Sequence, residues 1–326
     1  MKKQLSAILA LTLLAGCGSA STTAASTAPA ATAAAATAET ASTSFTSDNK
    51  YSVLAPTGAP GYALLPLADN DSVSLELVDG ADSLQAAFVN PDPQYDVIVA
   101  PTNLGAKLIS AGKTDYRLAA VVTTGNLYIV GTSEDVLSGT GTIALFGEQA
   151  VPGLVYKKLQ PTTTMTEQWY NAVTDAQAAL LGGQADAALL AEPAATATIA
   201  KGKDAGLSLT KVADLQQLWG DDGYPMASLF IKEDTFKDHK EDMAQMIDVL
   251  KNYADGVKSG DIDVAADLDG VSDPSVFGSV PSAMVAKTYT AMGINPNYAK
   301  GQEESLQKFL DLFGVTLSDD AVLDFD

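Results

Sequence analysis

Short apolar runs alternate with stretches of helical periodicity through most of the chain after residue 50. Runs typical of β-strands cover residues 51–56, 73–78, 95–101, 117–124, 127–132, 141–146, 163–169, 185–191 and 226–231. Helical stretches lie between them at 63–68, 82–88, 104–111, 153–159 and 176–181. This repeated β-α-β order predicts an α/β fold whose sheets are largely parallel and covered by helices on both faces.

The last third of the chain has a different pattern, with two apolar stripes at helical spacing. The stripes consist of Met243, Met246, Ile247, Leu250, Tyr253 and Val257, and of Leu306, Phe309, Leu310 and Phe313. Such stripes predict helices that face a hydrophobic core.

The N-terminal region carries the most specific local pattern. Lys2 and Lys3 precede an apolar run at residues 5–16, which is too short to span a bilayer but has the length of a signal-peptide core. The run ends in Leu14-Ala15-Gly16-Cys17, which resembles the lipobox of bacterial lipoproteins. We therefore expect residues 1–16 to be a signal peptide and Cys17 to be lipidated. The lipid would anchor the protein on the outer face of the bacterial cytoplasmic membrane.

Residues 18–44 are almost entirely Ala, Ser and Thr. Such a composition offers too little large apolar surface to offset the entropy of ordering the chain. Residues 17–46 are therefore predicted to form a flexible tether between the lipid and the folded part.

The charge and the rarity of some residue types exclude several functions. The 40 acidic residues outnumber the 19 basic ones, and the formal charge of −21 argues against nucleic-acid binding. The chain has 1 Cys and 1 His, so an internal disulfide and a Cys/His zinc site are ruled out. A catalytic triad would depend on His239, whose charged surroundings at 237–241 indicate a solvated helix start. No catalytic residue, metal site or cofactor is predicted.

Three turns that follow predicted strands are rich in small polar residues. They are residues 56–61, 101–103 and 123–126. In open α/β sheets, ligands bind beyond the carboxyl ends of the strands, near helix N-termini. Hydroxyls, amides and exposed backbone at these turns suit a small polar ligand better than catalysis.

The combination of a lipoprotein signal, a tether and α/β elements resembles the ABC-transporter substrate-binding proteins. Residues 51–67 and 95–108 are similar to segments of the nitrate/sulfonate/taurine group, which includes thiamine-pyrimidine binders. The most specific likeness is at 176–196, where Leu-Gly-Gly-Gln-Ala-Asp-Ala-Ala and Ala-Glu-Pro match the family pattern.

The resemblance implies a type II-like periplasmic-binding-protein fold of two lobes, each a mixed sheet flanked by helices, with the ligand cleft between them. One lobe would combine residues 47–125 with 229–326, and the other would be residues 126–228. The hinge would lie at the two crossings near Gly125 and Ser228.

By the same resemblance, the protein would be a monomer that closes around a small polar organic molecule or anion. It would deliver this ligand, of the sulfonate, nitrate or thiamine-pyrimidine type, to the permease and ATPase of an ABC importer. Two alternatives are a ligand-sensing surface lipoprotein and an enzyme of the pyrimidine-synthase type on the same fold.

The predicted ligand-binding residues follow from the strand-end turns and from aromatic side chains able to stack on a ligand. They are Thr57, Gly58, Ala59, Tyr62, Thr102, Asn103, Thr124, Gly147, Gln149, Trp169, Glu192 and Tyr224. Glu192 has two possible roles, as an acceptor for a ligand amine or as a cap for the helix after Pro193. Arg117 begins a strand and is expected to point away from the cleft. Both an anion held by backbone N–H groups and a neutral heteroaromatic ligand therefore fit the sequence.

Overall fold

A computed structural model describes residues 42–162, 164–220, 223–318 and 320–326. The predicted signal peptide, Cys17 and the tether up to residue 41 lie outside the described residues. Within them, no helix is both long and apolar enough to cross a lipid bilayer. In the same part of the chain, no group of three or more His, Cys, Asp or Glu side chains is placed to hold a metal ion.

Eleven strands and twelve helices are described. The strands are β1 (Tyr51–Pro56), β2 (Val73–Val78), β3 (Val97–Pro101), β4 (Tyr116–Thr123), β5 (Leu127–Gly131), β6 (Thr142–Phe146), β7 (Thr166–Tyr170), β8 (Ala187–Ala191), β9 (Thr210–Asp214), β10 (Ala227–Lys232) and β11 (Ile294–Tyr298). The helices are α1 (Ala59–Tyr62), α2 (Ala81–Phe88), α3 (Thr102–Ser110), α4 (Val151–Leu159), α5 (Val173–Leu181), α6 (Ala194–Asp204), α7 (Leu215–Trp219), α8 (Glu233–Asp238), α9 (Lys240–Ser259), α10 (Val264–Gly270), α11 (Ser282–Thr288) and α12 (Glu303–Leu310).

The strands form two separate mixed sheets. The six-stranded sheet has the order β11-β4-β10-β3-β1-β2, and the five-stranded sheet has the order β7-β6-β8-β5-β9. We call each sheet with its helices the first lobe and the second lobe, respectively. The first sheet draws on residues 51–123 and 227–298, and the second on 127–214.

The expectation of largely parallel sheets is wrong. Parallel pairing is confined to β1 with β2 and β3, and to β6 with β7 and β8. The chain re-enters the first lobe through β10, which runs antiparallel to both β3 and β4. In the second lobe, β5 is antiparallel to β8 and β9. Hydrophobic periodicity does not distinguish these directions, because it reports which faces are buried and not the sense of pairing.

The helix predicted at 63–68 is also replaced by a different arrangement. A short helix, α1, comes earlier, and residues Leu65–Leu67 form a single 3₁₀ turn. Pro66 lies in the middle of the predicted helix, and a proline there lacks the N–H that a continuing α-helix needs.

Residues 42–46, which the sequence analysis places at the end of the tether, contact the first lobe. Phe45 is 2% exposed and packs against Tyr51 with ring centroids 6.0 Å apart. The Asn252 side chain donates to the Ser42 carbonyl at 2.9 Å, and the Asn70 side chain donates to the Phe45 carbonyl at 2.8 Å. The buried aromatic ring at position 45 therefore ties residues 42–46 to the first lobe.

The two lobes are joined by tightly packed chain crossings. The backbone passes from β4 to β5 through residues 124–126, and it returns between α7 and β10. Thr124 donates its N–H to the Gly293 carbonyl at 2.8 Å, which brings a third segment against the first crossing. A Cβ placed on Gly125 would lie 2.7 Å from the Tyr224 ring. These crossings therefore have no room for larger residues.

Helix α12 contributes to the cores of both lobes. Leu306 packs among first-lobe residues such as Leu118 and Phe230. Phe309 and Leu310, within the next turn, lie instead in the second-lobe core with Leu127 and Leu189. The C-terminal segment is thus shared between the lobes, whereas the resemblance assigned it to the first lobe.

Candidate functional site

A cavity of about 250 Å³ lies between the two lobes. Its walls come from the carboxyl ends of β1, β3 and β4, the starts of α1, β10 and α4, and the crossing at Asn126. The lining residues are Pro56, Ala59, Pro60, Pro101, Thr123, Asn126, Ala150, Val151, Pro152, Met226 and Ala227.

The fold explains why these residues meet. The parallel strands β1 and β3 end at the same edge of the sheet, so Pro56 and Pro101 lie at that edge together. Since β10 is antiparallel to them, its beginning, and not its end, reaches the edge, and Ala227 pairs with both Pro101 and Thr123. Helix α4 follows β6 and brings its N-terminus to the opposite wall.

The cavity wall is mainly apolar and rigid. Four of its eleven residues are prolines, and Thr123 and Asn126 are the polar side chains among its described lining residues. Each proline ring fixes its own φ angle. The prolines therefore stiffen the segments that each lobe contributes to the wall, which reduces the entropy lost when a ligand orders them.

Asn126 is the most distinctive polar group of the cavity. It is 8% exposed, and its backbone carbonyl accepts the N–H of Glu192 at 3.0 Å. Its side-chain Nδ2 donates to the Glu192 carbonyl at 3.5 Å. Its Oδ1 is buried and has no hydrogen-bond partner within the described part of the chain. Because buried acceptors are normally satisfied, this oxygen beside the cavity is an exception.

Residues beneath Asn126 hold the crossing in place. Gln216 Oε1 accepts the N–H of Leu127 at 2.8 Å and the hydroxyl of Tyr224 at 3.0 Å. The Tyr224 ring stacks on Phe309 with centroids 5.9 Å apart. Burial raises the pKa of Tyr224 well above its ordinary value, so the phenol stays protonated and donates.

Among the predicted ligand-binding residues of the first lobe, Ala59 lines the cavity. Thr57 and Gly58 precede it, and the Thr57 hydroxyl donates to Asp79 at 2.6 Å. Tyr62 does not face the cavity: it is 2% exposed and its ring stacks on Phe277 with centroids 6.0 Å apart.

The turn after β3 lies beside the cavity. The Thr102 hydroxyl is fully buried and pairs with the Ser228 hydroxyl at 2.8 Å. Asn103 is the second residue of α3, and its Oδ1 is buried without a hydrogen-bond partner in the described residues. Thr124 instead lines a different groove, described below.

The predicted residues of the second lobe are more dispersed. Gly147 and Gln149 lie in the turn before α4, next to the lining residue Ala150. Trp169 belongs to the edge strand β7, where its Nε1 donates to Glu167 at 3.2 Å. Tyr224 is a fully buried core residue.

Glu192 acts within the second lobe. Its Oε2 accepts the N–H of Thr196 at 3.1 Å, and its Oε1 accepts the Thr196 hydroxyl at 2.7 Å. Lys211 forms an ion pair with the same carboxylate, whose side chain is 0% exposed. Of the two roles considered for Glu192, this geometry favours capping the start of α6.

The sequence reasoning missed several residues that line the cavity. Asn126 was considered only as part of a turn, and the wall formed by Ala150, Val151 and Pro152 was not considered. A proline close to a helix start after a buried strand was the available signal for this wall. Met226, at the start of the predicted strand 226–231, was not identified as a lining residue.

A larger groove of about 730 Å³ lies beside the crossings, between α7, β11 and the start of α12. It is lined by both polar and apolar groups, with Thr124, Trp219, Lys300 and Lys308 among its lining residues. The smaller cavity is the better candidate site because it lies between the lobes at the carboxyl ends of the strands, where α/β proteins bind ligands.

No protein-family model and no curated protein matches this sequence. Solved structures do match it. An ABC transporter from Parabacteroides distasonis has a TM-score of 0.67 and 20% identity, over 85% of this chain and 99% of that one. The periplasmic aliphatic sulphonate binding protein SsuA from Escherichia coli has a TM-score of 0.60 and 13% identity, over 85% of this chain and 93% of that one.

The chain has the periplasmic binding protein fold. A further match is the alkanesulfonate-binding protein SsuA from Xanthomonas axonopodis pv. citri bound to MOPS, with a TM-score of 0.52 and 13% identity, over 85% of this chain and 97% of that one. The predicted α/β fold of two lobes with mixed sheets is confirmed. At these identities the likeness establishes the periplasmic binding protein fold alone, and function has to be argued from the site.

Proposed function

We propose that this protein is an extracytoplasmic solute-binding lipoprotein that captures a small molecule between its lobes and delivers it to an ABC importer. The observation that carries the proposal is the cavity itself. It is walled by both lobes, lies where the strands end, and is adjacent to the crossings about which the lobes would move.

The mechanism follows from this position. A ligand in the cavity contacts the first lobe through β1, β3 and β4, and the second lobe through α4. Because both sets of contacts exist only when the lobes are close together, the ligand stabilises the closed arrangement. The permease would then recognise that arrangement.

Three further points support the role in import. The similar solved structures are described as ABC transporter and sulfonate-binding proteins. The lipobox at residues 14–17 would place the protein outside the cytoplasmic membrane, and the site contains no catalytic constellation among its described residues. We propose a monomer, with Thr57, Gly58, Thr102, Asn103, Gly147 and Gln149 supporting the lining residues from adjacent positions.

The decisive experiment fills the cavity without disturbing the core. Ala150 is an exposed lining residue with extended backbone at the start of α4, so Ala150→Trp places an indole against the cavity. Ala205→Trp is the matched control, since Ala205 is exposed at the far end of α6.

Small molecules that raise the melting temperature are first identified with the wild-type protein. We expect Ala150→Trp to lose their binding in calorimetry and Ala205→Trp to retain it, with both variants folded. Equal affinity in both variants would place the site elsewhere. Gly58→Leu does not separate loss of binding from backbone strain. Gly58 has φ 87°, and any side chain at that φ is strained even where it contacts nothing.

Anchoring is tested separately. Cys17→Ser should release the protein from membranes or leave it unprocessed, as judged by fractionation and mass spectrometry. Normal processing with equal membrane retention would refute the lipoprotein assignment.

A further inference from the structure

We propose that the Met226 side chain sets the length of the largest ligand that the cavity between the lobes accepts. Met226 would then be a specificity-determining residue of the proposed solute-binding function, on which this inference rests. The length in question is that of the ligand's apolar part, whatever polar group the ligand carries.

The backbone at Met226 is held by hydrogen bonds to the first lobe. Its N–H donates to the Thr123 carbonyl at 2.9 Å, and its carbonyl accepts the Thr102 N–H at 3.1 Å. The next residue, Ala227, pairs with both Pro101 and Thr123. The backbone cannot shift without breaking these contacts, so any adjustment to a ligand falls to the Met226 side chain.

The Met226 side chain lies between the cavity and the second-lobe core. Gly223–Pro225 before it and Ala227 after it are buried, whereas Met226 is partly exposed and lines the cavity. Pro225 lines the larger groove instead, so neighbouring residues of the return crossing face opposite sides. Met226 also packs against the core of the second lobe. Shortening its side chain would therefore extend the cavity towards that core.

The other described lining residues have little freedom to change the size of the cavity. Seven of the eleven are proline or alanine, which have no side-chain rotamers to exchange. Thr123 and Val151 are β-branched, and branching at Cβ restricts χ1. Asn126 is buried, and its Nδ2 donates to the Glu192 carbonyl at 3.5 Å. Met226 is thus the long, unbranched and adaptable side chain among the described lining residues.

The size of the effect follows from the burial of methylene groups. Met226→Ala removes every side-chain atom beyond Cβ and, after partial relaxation, leaves room for about two methylene groups. In a cavity of about 250 Å³ this is a large change. Each methylene group taken out of water tightens binding by about fourfold. A ligand tail that is two methylene groups too long for the wild-type cavity should therefore bind Met226→Ala at least about tenfold more tightly.

The test uses two series of molecules with unbranched tails from methyl to octyl, the alkanesulfonates and the primary carboxamides. The two series differ in charge, so the result does not depend on one polar group. Dissociation constants are measured by calorimetry for the wild-type protein, Met226→Ala, Met226→Val and Met226→Leu. Met226→Val is the second shortened variant, in case Met226→Ala does not fold, and Met226→Leu nearly conserves the side-chain volume.

The matched control is Met284→Ala. Met284 is also partly exposed, but it lies on α11 and outside the cavity lining. Melting temperatures show whether each variant is folded. A general loss of stability would weaken the binding of every tail length alike, whereas it would not change which length binds best.

We expect the preferred tail to lengthen by about two methylene groups in Met226→Ala and by less in Met226→Val. Met226→Leu and Met284→Ala should keep the wild-type preference. An unchanged preference in folded Met226→Ala, or an equal change in Met284→Ala, would overturn this inference and leave solute capture intact. The same conclusion follows if neither shortened variant folds, because Met226 would then serve core packing.

The proposed function has its own readout in the same experiment. Ala150→Trp, which places an indole against the cavity, should abolish the binding of both series. If Ala150→Trp binds them as well as the wild-type protein does, the site lies elsewhere, and the cavity assignment fails together with this inference. If no member of either series binds the wild-type protein at millimolar concentration, the proposed capture of small solutes in this cavity also fails.

Discussion

Gly293→Ala should destabilise the protein more than any exposed glycine substitution, because this residue packs against the crossing between the lobes. Gly293 has φ 68°, and its carbonyl accepts the Thr124 N–H at 2.8 Å. A Cβ at this position would lie 2.9 Å from the Gly125 carbonyl carbon and overlap the carbonyl oxygen. Both atoms belong to the backbone, so no side chain can rotate out of the way.

The magnitude has two parts that a control can separate. A non-glycine residue in the left-handed region costs about 1–2 kcal/mol. Forcing backbone apart in a packed region adds about 1–3 kcal/mol. Gly301 has φ 88° with nothing within 4 Å of an added Cβ, so Gly301→Ala reports the conformational cost alone.

We therefore expect Gly301→Ala to lower the free energy of unfolding by about 1–2 kcal/mol and Gly293→Ala to lower it by about 2–5 kcal/mol. Urea unfolding followed by circular dichroism and tryptophan fluorescence measures both, and Trp219 near the crossings reports on that region. If the two variants differ by less than about 0.5 kcal/mol, the crossings are not tightly packed and the reasoning is refuted.

Two further predictions concern the first lobe. Asp242 accepts hydrogen bonds from Ser47 at 2.5 Å, from Asn49 at 3.2 Å and from Tyr51. Burial raises its pKa, but these hydrogen bonds outweigh burial and lower the pKa below its usual value. The ionised Asp242 therefore stabilises the fold above pH about 3.9, and this stabilisation is lost as the pH falls through the folded-state pKa. Asp242→Asn should flatten the acid side of the curve of unfolding free energy against pH, measured by urea unfolding. An unchanged curve would contradict this. Gly105→Ala should cost about 1–3 kcal/mol because its Cβ would overlap the buried Phe230 ring, whereas Gly270→Ala, with nothing within 4 Å, should be near neutral in the same assay.

Much of the fold could be predicted because its strands are short, apolar and bounded by turns. The strands at 51–56 and 73–78 were predicted with the bounds that the structure has. Strands β9 and β11 were not predicted, because their residues alternate weakly and depend on contacts with distant segments, whereas the helix after Pro193 was predicted without bounds. The direction in which strands pair could not be predicted from local pattern, because it also depends on contacts with distant segments.

The candidate site was predicted to the level of loops, not of side chains. Strand ends indicate where a cleft forms, so the turns near Pro56, Pro101 and Asn126 were all identified. An aromatic residue near such a turn can face either the cleft or the core, and Tyr62 and Tyr224 face the core. Only the packing of Phe277 and Phe309 against these rings decides between the two directions.

Helix α12 has a consequence for how wide the cleft can open. Leu306 is held in one core and Phe309 in the other, so separation of the lobes must pull one of these side chains from its neighbours or slide the helix. The end of the chain therefore links the two cores directly. Under the proposed closure of the lobes, weakening these contacts of α12 should change the rates at which a ligand enters and leaves, without altering a residue that lines the cavity.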